Sequence, residues 1–394
     1  MRRAYKYRAY VDESMEAKLD HWLYLARNLW NAALEQHSTL WQNRKYTVTK
    51  KWQARQIKDI RKEFPEYKAA NCQMLHDVVK RLDLAFQAFF RRVKEGNQDP
   101  GYPTFKGKNS YRSFTLSCQS GWKLNGSTSC QPEWKLNGNS FVINRLGRMR
   151  LRMHRPIEGV IKTINVSKTK SGKWFVSFSC DGIPDNPQPE TRKSIGLDLG
   201  LIFLVADSEG KTWDAPKFLR QSAKEMRVLE RAKSRKPKGS RNRNKARLQV
   251  SKLHEKISNQ RKNFAEQVAL YYAQNYDLIV MEDLQIKNMA KNPRLAKSIM
   301  DAGWYRFRMA LTAKCQEFGR ELIAVDPAYT SQMCSDCGDI VKKSLSNRTH
   351  CCEACGLIMD RDLNAAKNIL QLGIGGGARK KSRGKKKPPK SLSP

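Results

Sequence analysis

No apolar run in the chain approaches the roughly 20 residues needed to span a bilayer. The opening residues, MRRAYKYRAY, hold no apolar signal core, so neither secretion nor membrane insertion is expected. Histidine is scarce, six in all, and no HExxH pair occurs, which disfavours histidine-based metallohydrolase chemistry. There is no GxxxxGK[ST] loop for a nucleotide-driven motor and no GxSxG elbow for a serine hydrolase. The sharpest shortage is of acid: 37 Asp and Glu stand against 75 Lys and Arg, a formal net charge of +38 over 394 residues. A chain this basic repels itself unless a polyanion neutralises it, and nucleic acid is the usual one. A ribosomal or histone-like binder fits that description as well as an enzyme does.

The length is enough for two or three domains. Ten cysteines are present, and four of them fall in two CxxC pairs, which reads as metal binding in a reducing cytosol rather than a disulfide framework. Residues 1–10 suit a short strand, and residues 13–95 read as helices. Leu19, Leu23, Ala26, Leu29, Trp30 and Ala33 recur at helical spacing, as do Leu75, Val78, Val79, Leu82, Phe86, Phe89 and Phe90. Phe64-Pro65 interrupts the region. From Asp99 short alternating runs (YRSFTLS, SFVINRLGRMRLR, TINVSKTKSGKWFVSFSC) predict strands and hairpins, with a small barrel expected. The pentapeptide WKLNG occurs at 122–126 and 134–138, too little for a repeat architecture. After the proline-rich linker IPDNPQPET the texture turns α/β: SIGLDLGLIFLVADSEGKTW predicts paired strands, 219–274 basic helix, YDLIVMEDL a buried strand, 294–319 helix and RELIAVDPAYTS a strand. Residues 377–394 carry eight Lys or Arg and no acid, and predict a disordered tail.

Three acids stand apart. In SIGLDLGL, strand alternation puts Ile195, Leu197 and Leu199 on one face and Asp198 on the other. Gly196 and Gly200 flank it and are expected to leave open space for a metal and a phosphate; an acid at a strand-end turn is the plain alternative. Glu282 closes the apolar strand Leu278–Met281, where it is either a site residue or the strand's exit into water. Asp362 heads the face formed by Ala365, Ala366 and Ile369 at i+3, i+4 and i+7, whereas Asp360 is out of phase and suits an N-cap. A carboxylate on a packing face is costly unless a cation or hydrogen bonds compensate it. Together Asp198, Glu282 and Asp362 form an acidic set of hard oxygen donors suited to Mg²⁺ or Mn²⁺. Such ions activate water and stabilise the leaving oxygen in phosphodiester cleavage.

Cys334-x2-Cys337 and Cys352-x2-Cys355, with 14 residues between, have the spacing of one structural, four-sulfur Zn²⁺ site; Cys351 and His350 are rivals to Cys352. The zinc would anchor the loop that delivers Asp362. Residues 220–262 hold 16 Lys or Arg against 3 Glu. That is too unbalanced for a solvated face, so Arg231, Lys233, Arg235, Lys236, Arg241, Arg243, Lys245 and Arg247 are expected on nucleic-acid backbone, with Pro237 and Gly239-Ser240 turning between two helices.

GLDLGL, IVMEDL, TSQMCSDCG, NRTHCCEACG and DRDLNAAKNI resemble, in order and over nearly the whole chain, the TnpB family of transposon-encoded RNA-guided nucleases, relatives of the type V CRISPR effectors. YPTFKGKNSYRSFTLS and GKWFVSF resemble its wedge-domain segments. The resemblance implies a multidomain α+β chain: a β-barrel wedge domain (1–12 and 99–185) with a helical recognition insertion (13–98). An RNase H-like (RuvC) α/β nuclease domain follows (186–376), with the zinc finger inserted at about 330–356. It implies Asp198, Glu282 and Asp362 as catalytic Mg²⁺ ligands, a guide RNA from the transposon end and double-stranded target DNA cut beside a short motif. The expected location is the prokaryotic cytosol, near the nucleoid. A monomer is expected. CQMLHDVVKRLD resembles the motif-reading stretch, which makes Gln73 and His76 candidates. A guided repressor without cleavage and a zinc-bearing transposase remain alternatives; the presence of all three acids argues for cleavage.

Overall fold

The computed structural model describes residues 2–375 except 109, 118–133, 185 and 345–346, with backbone only at 287. The expected tail (377–394) and the first WKLNG copy lie outside the described residues. The chain forms two compact units, residues 1–184 and 185–394. Among the described residues no helix is long and apolar enough to cross a membrane.

The first unit begins with β1 (Arg3–Tyr10), followed by α1 (Glu13–Arg44), α2 (Lys50–Glu63), α3 (Pro65–Ala69) and α4 (Cys72–Lys94). Asp12 and Asn71 start α1 and α4 by accepting the backbone N–H of Met15 and Met74, at 2.7 and 3.1 Å. Phe64 ends α2 and Pro65 opens α3, so the expected break is where the chain turns. Then come β2 (Ser113–Ser117), β3 (Trp134–Asn137), β4 (Ser140–Ile143), β5 (Gly147–Arg152), β6 (Val160–Lys168) and β7 (Trp174–Asp181). With β1 they make one seven-stranded antiparallel sheet, ordered β2-β6-β7-β1-β5-β4-β3. Among the described residues no pairing joins β2 to β3. The second WKLNG copy is β3 and its turn into β4.

Sheet and helices share one core, in which Trp22 of α1 meets Phe114 of β2 at 5.6 Å between rings. Every apolar position expected in α1 is buried, as are Leu75, Val78, Val79, Leu82 and Phe86 of α4. Phe89 is only partly buried and Phe90 is 56% exposed, so the expected stripe opens to solvent at the end of α4.

The second unit opens with β8 (Ser194–Asp198), β9 (Phe203–Asp207) and β10 (Thr212–Asp214). Helices α5 (Phe218–Gln221), α6 (Ala223–Ser234) and α7 (Arg241–Asn275) lead to β11 (Leu278–Glu282). Then follow α8 (Ile286–Met289), α9 (Ala296–Ala302), α10 (Trp304–Phe318), β12 (Glu321–Val325), the small hairpin β13 (Thr349–Cys351) and β14 (Ile358–Asp360), and α11 (Arg361–Ile374). The main sheet is ordered β10-β9-β8-β11-β12, antiparallel through β8 and parallel across β8, β11 and β12. One face carries Ile195, Leu197, Ile279 and Met281 into a core with α7 and α10. The opposite face carries Val280 and Val325 against Ile369 of α11.

Candidate active site

Parallel pairing sets the site. β8 and β11 are in register at Ile195–Ile279, Gly196–Val280 and Leu197–Met281. One residue further, each strand places its acid, Asp198 and Glu282, on the face that α11 covers. Neighbouring strands lie about 4.8 Å apart, so the two carboxylates are close by construction. Asp362 is the first buried residue of α11 and faces the same sheet. Asp360 is the N-cap expected of it, accepting the Asp362 and Leu363 N–H groups at 2.8 and 3.2 Å.

The glycines beside Asp198 do a different job from the one expected. A Cβ on Gly196 would sit 2.1 Å from the Ala366 carbonyl, and one on Gly200 2.9 Å from the Phe203 carbonyl. The space is filled by the chain itself, not held open. Gly196 and Gly373, whose Cβ would lie 2.4 Å from Val280, let α11 lie flush on β8 and β11, which brings Asp362 to the strand ends.

The electrostatics are those of crowded like charge. Burial pushes the Asp198 carboxyl well above the usual range, and the charges of Glu282 and Asp362 push it further against the pull of Arg361. Burial raises Glu282 too, opposed by a 2.6 Å hydrogen bond from Thr330 Oγ1. Two arginines compensate Asp362: Arg348 Nη2 donates to Oδ2 at 2.6 Å, and Arg361 Nη2 lies 3.3 Å from Oδ1. Glu282 and Asp362 are only 7% and 5% exposed. Three carboxylates beside two arginines are the donor type that a hard divalent ion takes, while among the described residues only the four cysteines of the knuckle lie at metal-ligand spacing. Asp283, by contrast, pairs with Arg308 at 2.5 Å.

The knuckle assembles from the two expected CxxC pairs. Cys334 and Cys355 sulfurs are 3.7 Å apart, those of Cys337 and Cys352 3.5 Å, and all four lie within 4.8 Å of one another. A tetrahedral ion with bonds of about 2.3 Å needs sulfurs about 3.7 Å apart, so the set fits Zn²⁺. Burial raises the Cys334 thiol, but the backbone N–H groups of Cys337 and Asp336, then His350, outweigh it and bring it down to about 6. Cys351 is exposed and outside the cluster, and His350, though fully buried, is not among the four.

The basic segment forms the expected helical hairpin, α6 and α7, turning at Gly239 (φ +87°) with Ser240 as N-cap. Arg231, Arg235, Arg241, Lys245 and Arg247 are exposed. Arg243 closes the turn: its Nη1 donates to the carbonyls of Lys233 and Lys236 at 3.1 and 2.6 Å. Lys233 pairs with Glu230, and Lys236 is half-buried. In the first unit, Gln73 is half-buried at the head of α4, and His76 is exposed on the rim of a groove of about 460 Å³ that Arg55, Lys58, Arg61 and Cys72 also line.

Sequence reading missed Arg348, Thr330, Asn364 and Asn368. Arg348 and Thr330 lie in loops with no period to mark them. Asn364 and Asn368 do carry a signal: two amides four apart on α11, beside its apolar face, are both fully buried.

The sheet and its covering helices have the fold of the RuvC-type RNA-guided effectors. A Cas12f1–guide RNA–target DNA complex matches with a TM-score of 0.58 and 17% identity, over 91% of this chain and 83% of that one. The mini-RNA-guided endonuclease Cas phi3 matches with 0.52 and 11%, over 95% and 92%. Family models described as the Cas12f1-like TNB domain, a probable transposase and a helix-turn-helix domain match residues 304–369, 164–293 and 1–46. In the last of these stretches the chain folds as a strand and a single long helix. Among curated proteins, a putative RNA-guided DNA endonuclease of Streptomyces pristinaespiralis is 31% identical over 386 residues, 96% of this chain and 91% of its own length. The putative RNA-guided DNA endonuclease InsQ of Escherichia coli is 30% identical over 317 residues, 76% and 74%. The chain belongs to the TnpB family of RNA-guided DNA endonucleases.

Proposed function

We propose that this chain, loaded with a guide RNA from its transposon end, hydrolyses both strands of target DNA beside a short motif, using Asp198, Glu282 and Asp362. The observation that carries the reading is the registered placement of Asp198 and Glu282 one row beyond Leu197–Met281, with Asp362 brought down onto them by α11. Mg²⁺ or Mn²⁺ held by these carboxylates would supply activated water and charge stabilisation at the leaving oxygen. The residues of the chain do the positioning. Arg348 and Arg361 offset the charge on Asp362, Thr330 orients Glu282, and the four cysteines with Zn²⁺ brace the loop leading to α11.

The domain plan that accompanies this reading has residues 1–12 and 99–185 as a wedge barrel, 13–98 as a recognition insertion and 186–376 as the nuclease domain with its zinc finger. Gln73 and His76 would meet base edges; His76 on the rim of the basic groove of α2 and α4 supports this. Arg231, Arg235, Arg241, Lys245 and Arg247 would grip phosphates. The first unit's sheet adds a second basic surface. Arg8 lies opposite Arg152 across β1 and β5, a like-charge pairing that costs stability until a polyanion relieves it. Lys6 and Arg8 lie over Phe175 at 4.4 and 5.6 Å.

Sequencing the RNA that co-purifies with the protein identifies the guide. Supplied with that RNA, Mg²⁺ and a matched target, the protein should cut both strands, and omitting the RNA should leave the target whole. Binding without cutting would instead mark a guided repressor, and strand-transfer products a transposase.

A further inference from the structure

Glu282 sits at the end of β11, yet what orients its carboxylate comes from 48 residues further on. After β12 the chain turns back over the strand ends. Tyr329 adopts φ +65°, a left-handed conformation unusual for a bulky side chain and found where a structure imposes it for a purpose. That turn swings Thr330 inward until it is only 3% exposed. Its hydroxyl has one proton, and two acceptors are in reach: Glu282 Oε1 at 2.6 Å and the Pro327 carbonyl at 3.1 Å. The carboxylate is nearer and charged, so the proton goes there. β-Branching limits the rotamers from which the hydroxyl can do this.

Thr330 is itself held from the opposite side. Asn368 Nδ2 spends its two protons on the carbonyls of Thr330 and Met333, at 2.8 and 2.6 Å. Its Oδ1 is buried without a hydrogen-bond partner, so the amide is retained in the core for its donors alone. Asn364, one turn earlier, donates to the same Met333 carbonyl at 2.7 Å and accepts the Ser335 N–H at 2.9 Å. Met333 and Ser335 flank Cys334, the first zinc ligand. An unbroken set of polar contacts, fully buried at its Thr330 end, therefore runs from the zinc knuckle through two α11 amides to Thr330 and Glu282.

We infer that Thr330 is a positioning residue for Glu282, locked by Asn368 to the zinc knuckle, and that it sets the affinity of the acidic cluster for its divalent ion. The inference rests on the reading of Glu282 as a metal-binding residue. Outer contacts of this kind typically govern metal affinity 10- to 100-fold.

The test is Mn²⁺ binding to the zinc-loaded, RNA-free full chain, read by electron paramagnetic resonance of free Mn²⁺, which requires no turnover. Thr330→Val should weaken binding by about tenfold or more, and Thr330→Ser should restore it to within about threefold, because the hydroxyl returns. Asn368→Ala should act in the same direction and add little to T330V, as coupled contacts do. If T330V disrupts folding, Thr330→Ala, which adds no atom, stands in for it. Wild-type Mn²⁺ affinity in T330V or T330A, or a T330S protein as weak as T330V, overturns the inference. Glu282→Gln separates the two levels: E282Q that binds Mn²⁺ like wild type sinks the metal-ligand reading itself. A weakened E282Q beside an unchanged T330V sinks only the role of Thr330.

Discussion

Arg348 Nη2 donates to Asp362 Oδ2 at 2.6 Å, reaching from the knuckle hairpin to the first turn of the last helix. The carbonyl of the same residue accepts the Arg361 N–H at 2.7 Å, so backbone and side chain both join the cysteine knuckle to the acidic cluster.

Arg348 should matter most when no divalent ion is present. Removing it leaves a buried carboxylate with Arg361 alone, at a cost of about 1–3 kcal/mol. Arg348→Ala should therefore melt earlier than wild type in zinc-loaded protein without added Mn²⁺, and the gap should narrow when Mn²⁺ is added. Thermal melts of both proteins with and without Mn²⁺ check this.

The raised acids set a pH dependence. Asp198 and Glu282 have folded values above their unfolded ones. Their protonated forms favour folding, and that contribution is complete below the usual carboxylate range and is lost as pH rises through the raised folded values. In zinc-loaded protein without added Mg²⁺ or Mn²⁺, E282Q should be more stable than wild type, with an advantage that grows from about pH 4 upward until Glu282 is fully ionised. An advantage that shrank with rising pH would contradict the assignment.

The cysteines divide by position rather than by chemistry. Cys352→Ser should abolish zinc binding and, with it, cleavage, since closed sites of this kind contribute folding energy directly. Cys351→Ser, one residue away but exposed and outside the cluster, should retain zinc and activity. Zinc content by mass spectrometry and cleavage on the same preparations separate the two.

The basic hairpin should show two kinds of arginine. Alanine at Arg235, Arg241 or Arg247 should weaken RNA binding evenly across sequences and lower the salt dependence by about one unit of slope for each phosphate left without its cation. Arg243→Ala should destabilise the α6–α7 turn and leave the slope less changed, because its guanidinium is bonded to the Lys233 and Lys236 carbonyls.

Much of the candidate site's geometry was legible beforehand because it obeys short-range rules. Strand alternation separates Asp198 from Ile195 and Leu197, helical phase separates Asp362 from Asp360, and CxxC spacing identifies the four-cysteine cluster. What stayed hidden depends on where the chain goes afterwards. Gly196 reads as space around an acid until α11 is known to lie against it. Arg243 reads as one cation in a basic run until the hairpin closes on it. Arg348 and Thr330 acquire meaning only when loops 14 and 48 residues away in sequence from their acids arrive beside them.

The central claim is that three acids from separate elements form one hydrolytic centre, and Asp198→Ala tests it most directly. With co-purified guide RNA, matched target and Mg²⁺, D198A should bind target with wild-type affinity while cutting at least about a thousandfold more slowly, several kcal/mol of transition-state stabilisation having gone. Cutting by D198A at the wild-type rate, with target binding intact, would contradict the account.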